Sequence, residues 1–417
     1  MKPSKSSPAT SAPGASTCAS ITLACRLEMI TTPLVDEVSR FCDEVVRPRA
    51  GEFDAAGAIP ASVIGQMAEL GVLGATLPTE YGGAGLDPLA HGELTETLSR
   101  ACSSLRTLST VHLSLVAQSV LRWGNARQKR DVLPDMAAGR RIGAFALSEA
   151  DAGSGTEWMS CSYRKVADRY VLNGAKKWIS FAGLADLFLV FARDADGAGT
   201  TAFLLERERH EVRTTPIDHL ISTRASHLAE VVLEDVVASS ADIVGVEHGA
   251  GRFVAPYALD HGRFSIAWAG VGLAREALAT MVDYARERRQ FGEALTAFQL
   301  IQALIAEASC KAHAARALCV EASGLRARRA QNATAMTTMA KHFAATTAVS
   351  VCNDAIQVHG ANGLSTRYAP ERLWRDARSL EIIEGTSQIQ QTLIARYVVS
   401  SPDQLFPARS PARQDAP

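Results

Sequence analysis

The apolar residues of this chain keep a three-and-four spacing at both ends and lose it in the middle, and that switch limits the fold more than any other feature. From Pro33 to about Arg141 they recur as Val63, Met67 and Leu70, then as Leu98, Leu105 and Leu108, each set marking one face of an amphipathic helix. The stretch Pro78-Thr79-Glu80-Tyr81-Gly82-Gly83-Ala84-Gly85-Leu86 breaks in as a loop, since such a density of glycine does not hold a helix. From about Ile142 the runs shorten to strand length: Tyr170 to Leu172, Leu187 to Ala192, Thr200 to Leu205 and Ala229 to Leu233. Asn173-Gly174, set between Tyr170–Leu172 and Lys176–Ser180, predicts a two-residue type I′ hairpin. After Gly249-Ala250-Gly251 the helical spacing returns and lasts to about Val399. There the segment 263–288 carries Ala267, Ala269, Gly270, Gly272 and Ala274, small enough for helices to pack closely. The chain therefore predicts an α+β fold with a helical domain over 29–141, a β domain over 142–251 and a helical bundle over 252–400. Residues 1–28, rich in Ser, Thr, Ala and Pro, and 401–417, with four prolines, read as disordered tails.

Composition removes several classes of function. Lys and Arg number 43 against 44 Asp and Glu, so no basic field exists to hold nucleic acid. No apolar run reaches the roughly 18 to 20 residues that cross a bilayer, and no membrane association is expected. The 8 cysteines include no Cys-x-x-Cys pair and read as reduced thiols of a cytoplasmic protein. The 10 histidines form no His-Glu-x-x-His and no Cys/His cluster, so no metal site is expected. Gly270-Val271-Gly272-Leu273-Ala274-Arg275 begins like a dinucleotide fingerprint, but it puts Arg at the third glycine and lies inside a helical pattern. No Gly-x-x-x-x-Gly-Lys-Ser/Thr and no Gly-x-Ser-x-Gly occurs.

Five polar segments remain, and each has a plain structural explanation. Phe145-Ala146-Leu147-Ser148-Glu149-Ala150-Asp151-Ala152-Gly153-Ser154-Gly155 is a strand entering a small-residue loop, either a surface turn or a set of donors for a flat polar ring. Asn173 to Ser180 puts Trp178 and Ser180 two apart on one strand face. Glu287-Arg288-Arg289-Gln290-Phe291-Gly292 reads as a helix end capped by Gly292. Asp354 to Gly363 is a helix closing in a glycine loop. In Ser379 to Gln390, Ser387 and Gln390 fit a capping box, with Glu384 just ahead where a helix dipole steadies a carboxylate.

Taken in order along the chain, these segments resemble the acyl-CoA dehydrogenase family from Met29 to about Ser400. Ser-Glu-Ala-Asp-Ala-Gly-Ser-Gly is similar to its flavin loop, Trp-Ile-Ser to its flavin-stacking strand and Tyr-Gly-Gly-Ala-Gly-Leu to its amino-terminal loop. Glu-Arg-Arg-Gln-Phe-Gly, Gln-Val-His-Gly-Ala-Asn-Gly and Glu-Gly-Thr-Ser-Gln-Ile-Gln complete the series. The resemblance implies an N-terminal helical domain, a central β domain and a C-terminal four-helix bundle. It also implies FAD held at a subunit interface of a homotetramer.

By the same resemblance Phe145, Leu147 and Ser148 would line the flavin, Gly153 and Ser154 would meet cofactor or substrate, and Trp178, Ile179 and Ser180 would close over the ring. Arg288, Gln290 and Phe291, with Gln357 and Gly360 from a neighbouring subunit, would hold the diphosphate and adenosine, and Thr386 and Gln388 would complete that cradle. Glu384 would be the base that takes the α-proton of an acyl thioester, its carboxyl lifted by the apolar neighbours Leu380, Ile382 and Ile383. Some branches place the base at the start of the long bundle helix, where this chain has Gly262. Ser154, Asp260, Arg263 and Gly385 would face substrate, with a buried Arg263–Asp260 ion pair as the plain alternative for Arg263. Hydride would pass to flavin N5, and an electron-transfer flavoprotein or another acceptor would reoxidise the enzyme.

Departures from the pattern bear on the substrate. Ala150 stands for the usual Pro, Gly155 for Asp and Ala361 for a second Gly, which loosens the fit to an ordinary fatty acyl-CoA pocket. Ala101 to Arg106 and Leu121 to Asn125 resemble the branch in polyketide pathways that oxidises acyl groups on an acyl carrier protein. The thioester is therefore on CoA or on a carrier protein. A same-fold flavin oxidase or monooxygenase and a non-catalytic carrier on this scaffold are the competing readings.

Overall fold

The computed structural model describes residues 32–401. Seven helices come first: α1 (Pro33–Phe41), α2 (Ala50–Ala56), α3 (Ala61–Glu69), α4 (Pro88–Ala101), α5 (Ser103–Ser109), α6 (Gln118–Trp123) and α7 (Ala126–Ala137). Their starts follow from side chains that satisfy free N–H groups. Asp87 accepts from the Ala90 N–H ahead of Pro88, and Asn125 with Gln128 forms a reciprocal capping box. Between α5 and α6 the helix widens to a π-type winding over Thr110–Ala117.

The strands are β1 (Gly143–Ala146), β2 (Ser162–Val166), β3 (Arg169–Ile179), β4 (Leu187–Asp194), β5 (Thr200–Glu206), β6 (Arg213–Pro216), β7 (Ala229–Ser239) and β8 (Ile243–Val244). They form one sheet in the order β6-β7-β3-β2-β4-β5-β8, with β1 parallel to β4. Alternation along β4 explains its unbroken burial. Leu187, Leu189 and Phe191 join the core shared with the N-terminal helices, while Phe188, Val190 and Ala192 join the core of the sheet domain.

The chain then enters α8 (Val254–Glu287), the short hairpin β9 (Arg289–Gln290) and β10 (Glu293–Ala294), α9 (Gln299–Ala327), α10 (Ala333–His359), α11 (Pro370–Leu380) and α12 (Ser387–Ser400). The small residues of α8 are explained by contact distance. A Cβ on Gly270 would lie 2.7 Å from the Ala344 carbonyl oxygen of α10, and one on Gly272 would lie 2.6 Å from that of Glu96 in α4. No helix among the described residues is long and apolar enough to cross a membrane.

Three local expectations are corrected. Asn173-Gly174 is not a turn: β3 runs through it with an irregular register, and the reversal falls at Ala167, whose φ is 55°. Asn173 exchanges hydrogen bonds with Asp235 on β7, and Gly174 is required because a Cβ would meet the Cys161 Cα at 2.6 Å. A second two-residue hairpin lies at Phe291-Gly292, with φ values of 51° and 84°, so Gly292 closes the β9–β10 turn rather than capping α8. Ser387 is not an N-cap; Thr386 is, its Oγ1 accepting from the Ile389 N–H, while Gln390 donates to the Gly385 carbonyl. The tail readings for 1–28 and 402–417 lie outside the described residues.

Candidate active site

Glu384 lies in the turn between α11 and α12, where Glu384 and Gly385 both adopt left-handed backbone, with φ of 55° and 93°. A non-glycine residue held there costs on the order of 1–3 kcal/mol and persists only when its surroundings enforce it. Three donors from three elements do so. Arg263 Nε of α8 donates to the Glu384 carbonyl at 3.2 Å. Lys341 Nζ of α10 and Gln390 Nε2 of α12 both donate to the Gly385 carbonyl, at 2.8 and 3.0 Å. Among the described residues no group accepts a hydrogen bond from the Glu384 N–H.

This turn aims the carboxylate at Gly262. A Cβ on Gly262 would lie 2.4 Å from Glu384 Oε2 and 2.8 Å from Leu115 Cδ2. The residue as a whole is only part-buried, yet Oε2 is enclosed and has no hydrogen-bond partner. Burial pushes the carboxyl up to about 7 against the opposing pull of Arg263, Lys341 and Arg106. Lys341, fully enclosed, is brought down to about 7 by its own burial. The expected desolvation by Leu380, Ile382 and Ile383 is corrected here. Leu380 and Ile383 pack with the bundle core, Ile382 is largely exposed, and the carboxylate faces the Gly262 backbone, beside which Leu115 also lies. Val111, Leu115 and Ala258 form an apolar cluster with Phe145 packed on it, which brings the end of β1 against the same stretch of α8.

The loop after β1 is held by a buried ion pair. Lys176 Nζ donates to Glu149 Oε1 at 2.8 Å and to the Leu147 carbonyl at 3.0 Å. Glu149 also accepts from the Ser160 and Cys161 N–H groups. Burial acts to raise the Glu149 carboxyl, but Lys176 and Ser160 outweigh it and hold it below the usual range. Ser148 and Lys177 exchange hydrogen bonds, Lys177 N–H to the Ser148 carbonyl and Ser148 Oγ to the Lys177 carbonyl, so the loop and the end of β3 form one surface. Trp178 does not share a strand face with Ser180. A register shift between Lys176 and Ile179 and a φ of 64° turn it outward, 51% exposed, while Lys176 and Ile179 point inward. Gly153 and Ser154 stand exposed on the loop.

The candidates around Arg288 and Gln357 are far from Glu384 within one chain. Gly262 and Arg288 stand at the two ends of a continuous helical stretch, a rise of roughly 39 Å at 1.5 Å per residue. Arg288, Gln290 and Phe291 are exposed there, Phe291 at 95%. Gln357 and Gly360 are at the same end, because Tyr284 stacks on His359 with ring centroids 4.0 Å apart and its hydroxyl accepts from Asn362. Thr386 and Gln388 stay beside Glu384. Asp260 does not pair with Arg263; it takes Arg326 of α9 at 2.5 Å, leaving Arg263 for the Glu384 carbonyl.

These residues suit a flavin dinucleotide in two portions. The Glu384 end offers an exposed indole, a rigid polar loop and a buried carboxylate without a partner; the Arg288 end offers an exposed guanidinium and an exposed ring. Sequence reasoning missed Lys341, Lys176 and Arg106. Lys341 and Arg106 are lone cations inside apolar or small-residue runs, a signal that was present in the chain, whereas Lys176 stands beside Lys177 and nothing in the sequence singles it out.

Comparison with known proteins identifies relatives over most of the chain. Three sequence profiles match in order: acyl-CoA dehydrogenase N-terminal domain over residues 31–140, middle domain over 144–236 and C-terminal domain over 249–399. The probable acyl-CoA dehydrogenase YngJ of Bacillus subtilis is 35% identical over 368 residues, covering 87% of this chain and 96% of that protein. Butyryl-CoA dehydrogenase from Megasphaera elsdenii superposes with a TM-score of 0.84 at 30% identity, over 88% of this chain and 98% of the other. The prolyl acyl carrier protein oxidase AnaB superposes with a TM-score of 0.83 at 28% identity, over 88% and 97%.

Proposed function

Because the chain belongs to the acyl-CoA dehydrogenase family, whose members depend on FAD, we propose that it oxidises the α,β carbon pair of an acyl thioester with Glu384 as base. The observation that carries this reading is the enclosed, unpartnered Glu384 Oε2 facing the bare Cα of Gly262. An α-proton of a thioester is weakly acidic, so its removal needs a base poised near neutral pH and a donor on the carbonyl oxygen. Glu384 supplies the first at its carboxylate and the second at its free N–H. Arg263, Lys341 and Gln390 hold the turn that carries both. Val111, Leu115, Ala258 and Phe145 keep water from the reacting carbons.

Bound FAD would supply the acceptor for the hydride leaving the β-carbon, so that one proton and one hydride would account for the new double bond. Phe145, Leu147, Ser148, Trp178 and Ser180 of one chain would hold its ring. Arg288, Gln290, Phe291, Gln357 and Gly360 would hold its diphosphate and adenosine from a second copy, because those residues lie too far along α8 to serve the same ring. A homotetramer built around such shared sites follows from this reading. The thioester sits on a phosphopantetheine arm, of CoA or of an acyl carrier protein, and the likeness to AnaB supports including the carrier protein.

Anaerobic addition of acyl-CoA and acyl-carrier-protein thioesters to the purified yellow protein should bleach its flavin absorbance. Glu384→Gln should keep the colour and lose bleaching by on the order of 10⁴-fold. A variant that still bleaches at the wild-type rate sinks the assignment of the base. Because AnaB is named an oxidase, the electron acceptor is tested by admitting air: fast recolouring with peroxide release supports oxygen, slow recolouring supports an electron-transfer flavoprotein.

A further inference from the structure

Four arginines gathered around the start of α8 reach solvent without a carboxylate to meet them. Arg122 lies in the last turn of α6, Arg252 directly precedes Phe253 at the N-cap of α8, and Arg328 and Arg329 close α9; all four are exposed. None pairs with an acidic side chain among the described residues. The chain as a whole balances 43 Lys and Arg against 44 Asp and Glu, so this excess of one sign is local. Instead of anions, Arg122 lies over the Trp123 ring at 5.1 Å and Arg252 over the Phe253 ring at 5.3 Å. The three stretches meet, since Trp123 packs on Phe253 with ring centroids 5.9 Å apart and Arg326, just ahead of Arg328, pairs with Asp260 of α8.

A column of rings leads inward from this patch. Phe253, Tyr257 and His261 recur at every fourth residue of α8 and share one face. Tyr257 and His261 have ring centroids 4.6 Å apart, and Trp123 meets Tyr257 edge-on at 6.4 Å. Phe253 is 41% exposed, whereas His261 adjoins Gly262, the residue that faces Glu384 Oε2. From Phe253 to Gly262 the helix rises roughly 14 Å at 1.5 Å per residue, a distance that an extended phosphopantetheine arm spans. Two enclosed polar atoms along this column lack partners, the donor Trp123 Nε1 and the acceptor Asp260 Oδ1. Both border Tyr257, which Trp123 touches and whose hydroxyl feels the charge of Asp260. A donor and an acceptor together suit the carbonyl and N–H of an amide, the polar group of that arm.

We propose that this patch docks the protein that carries the thioester, an acidic carrier whose phosphopantetheine arm enters along the Phe253, Tyr257 and His261 face. This rests on the reading of Glu384 as the base, and it names a carrier protein, not the nucleotide of CoA, as the partner at the mouth. The breadth of the patch favours a protein. Its cations come from three stretches far apart in sequence, with an apolar ring bare among them, and arginine mixed with aromatic side chains is the composition of a protein interface. Carboxylates on the partner supply the missing counter-charges and steer the encounter.

The test loads the same acyl group on pantetheine, on CoA and on a holo acyl carrier protein, and compares second-order rates of anaerobic bleaching of the FAD-bound enzyme. Pantetheine has neither nucleotide nor protein and is the reference within each variant. Arg122→Glu combined with Arg252→Glu should lower the rate with the carrier protein by on the order of a hundredfold relative to pantetheine, with a much smaller loss on CoA. Arg328→Glu, on a different element, should give a smaller loss of the same kind, and the wild-type rate with the carrier protein should fall as salt is raised. The comparison is made between proteins matched in flavin content and thermal midpoint. Equal losses on CoA and on the carrier protein would make the patch a phosphate site and overturn the proposal, as would a carrier-protein rate that neither variant lowers. Should no thioester bleach the wild type, the reading of Glu384 falls, and calorimetry with the holo carrier protein still decides the docking surface. Binding that the double variant abolishes upholds it; no binding, or binding that the variant leaves unchanged, overturns it.

Discussion

The surroundings of Gly262 within α8 and of Arg288 just past its end differ in nearly every respect. At Gly262 the residues are enclosed, cations from three helices surround one carboxylate, and even a methyl group finds no room. At Arg288 the chain turns out into a two-strand hairpin whose guanidinium and phenyl ring face solvent. At the enclosed end the carboxylate and the cations that act on it all come from one chain. Phe291, bare in a left-handed turn, is the part of the chain that the proposed reading covers with a second copy. Under the proposed function, one chain would supply the groups for proton removal and only part of a dinucleotide cradle.

Breaking the exposed end should give the larger effect on cofactor. Arg288→Glu places a second negative charge against a diphosphate and should lower FAD affinity by on the order of a hundredfold or more, read as flavin content after dialysis. Far-ultraviolet circular dichroism should not change, since Arg288 makes no contact in the enclosed core. If the variant retained flavin as well as wild type, the exposed end would have no part in the cradle.

At the enclosed end, Gly262→Ala puts a Cβ where Glu384 Oε2 already sits. It should destabilise the protein by about 1–3 kcal/mol and slow anaerobic bleaching more than it weakens flavin retention. A thermal midpoint and bleaching rate equal to wild type would mean that the carboxylate does not face this helix.

The smallest effect sharpens the electrostatics. Glu384 must be ionised to accept a proton, and its carboxyl is raised to about 7, so bleaching should slow as pH falls through that value. Lys341 is one of the cations that pull it back down. Lys341→Met removes that pull and should move the pH midpoint of bleaching upward by about one unit. A rate that drops equally at every pH would leave Lys341 only a scaffold for the Gly385 carbonyl.

The contrast also accounts for what the chain disclosed in advance. The switch from helical to strand spacing and back was legible because burial imposes it residue by residue, and the contiguous segments around Ser148, Trp178, Arg288 and Glu384 could be read as units. What was hidden depends on partners distant in sequence. Arg263 lies three residues from Asp260, yet Arg326 takes the aspartate and Glu384 takes the arginine. Asn173-Gly174 has the composition of a turn, but Gly174 is needed for the close approach of Cys161. The bulge that exposes Trp178 and the pairing of Lys341 with the Gly385 carbonyl exist only once β7 and α10 are in place.

A mixing experiment bears most directly on the claim that each site joins the Glu384 end of one chain to the Arg288 end of another. Glu384→Gln and Arg288→Glu chains, each inactive alone, are produced together and assayed for thioester-driven bleaching. Hybrids should regain activity, because some of their sites combine the intact Glu384 of one chain with the intact Arg288 of its neighbour. Demonstrated hybrids with no recovered bleaching would contradict the account, placing both ends of each site in one and the same chain.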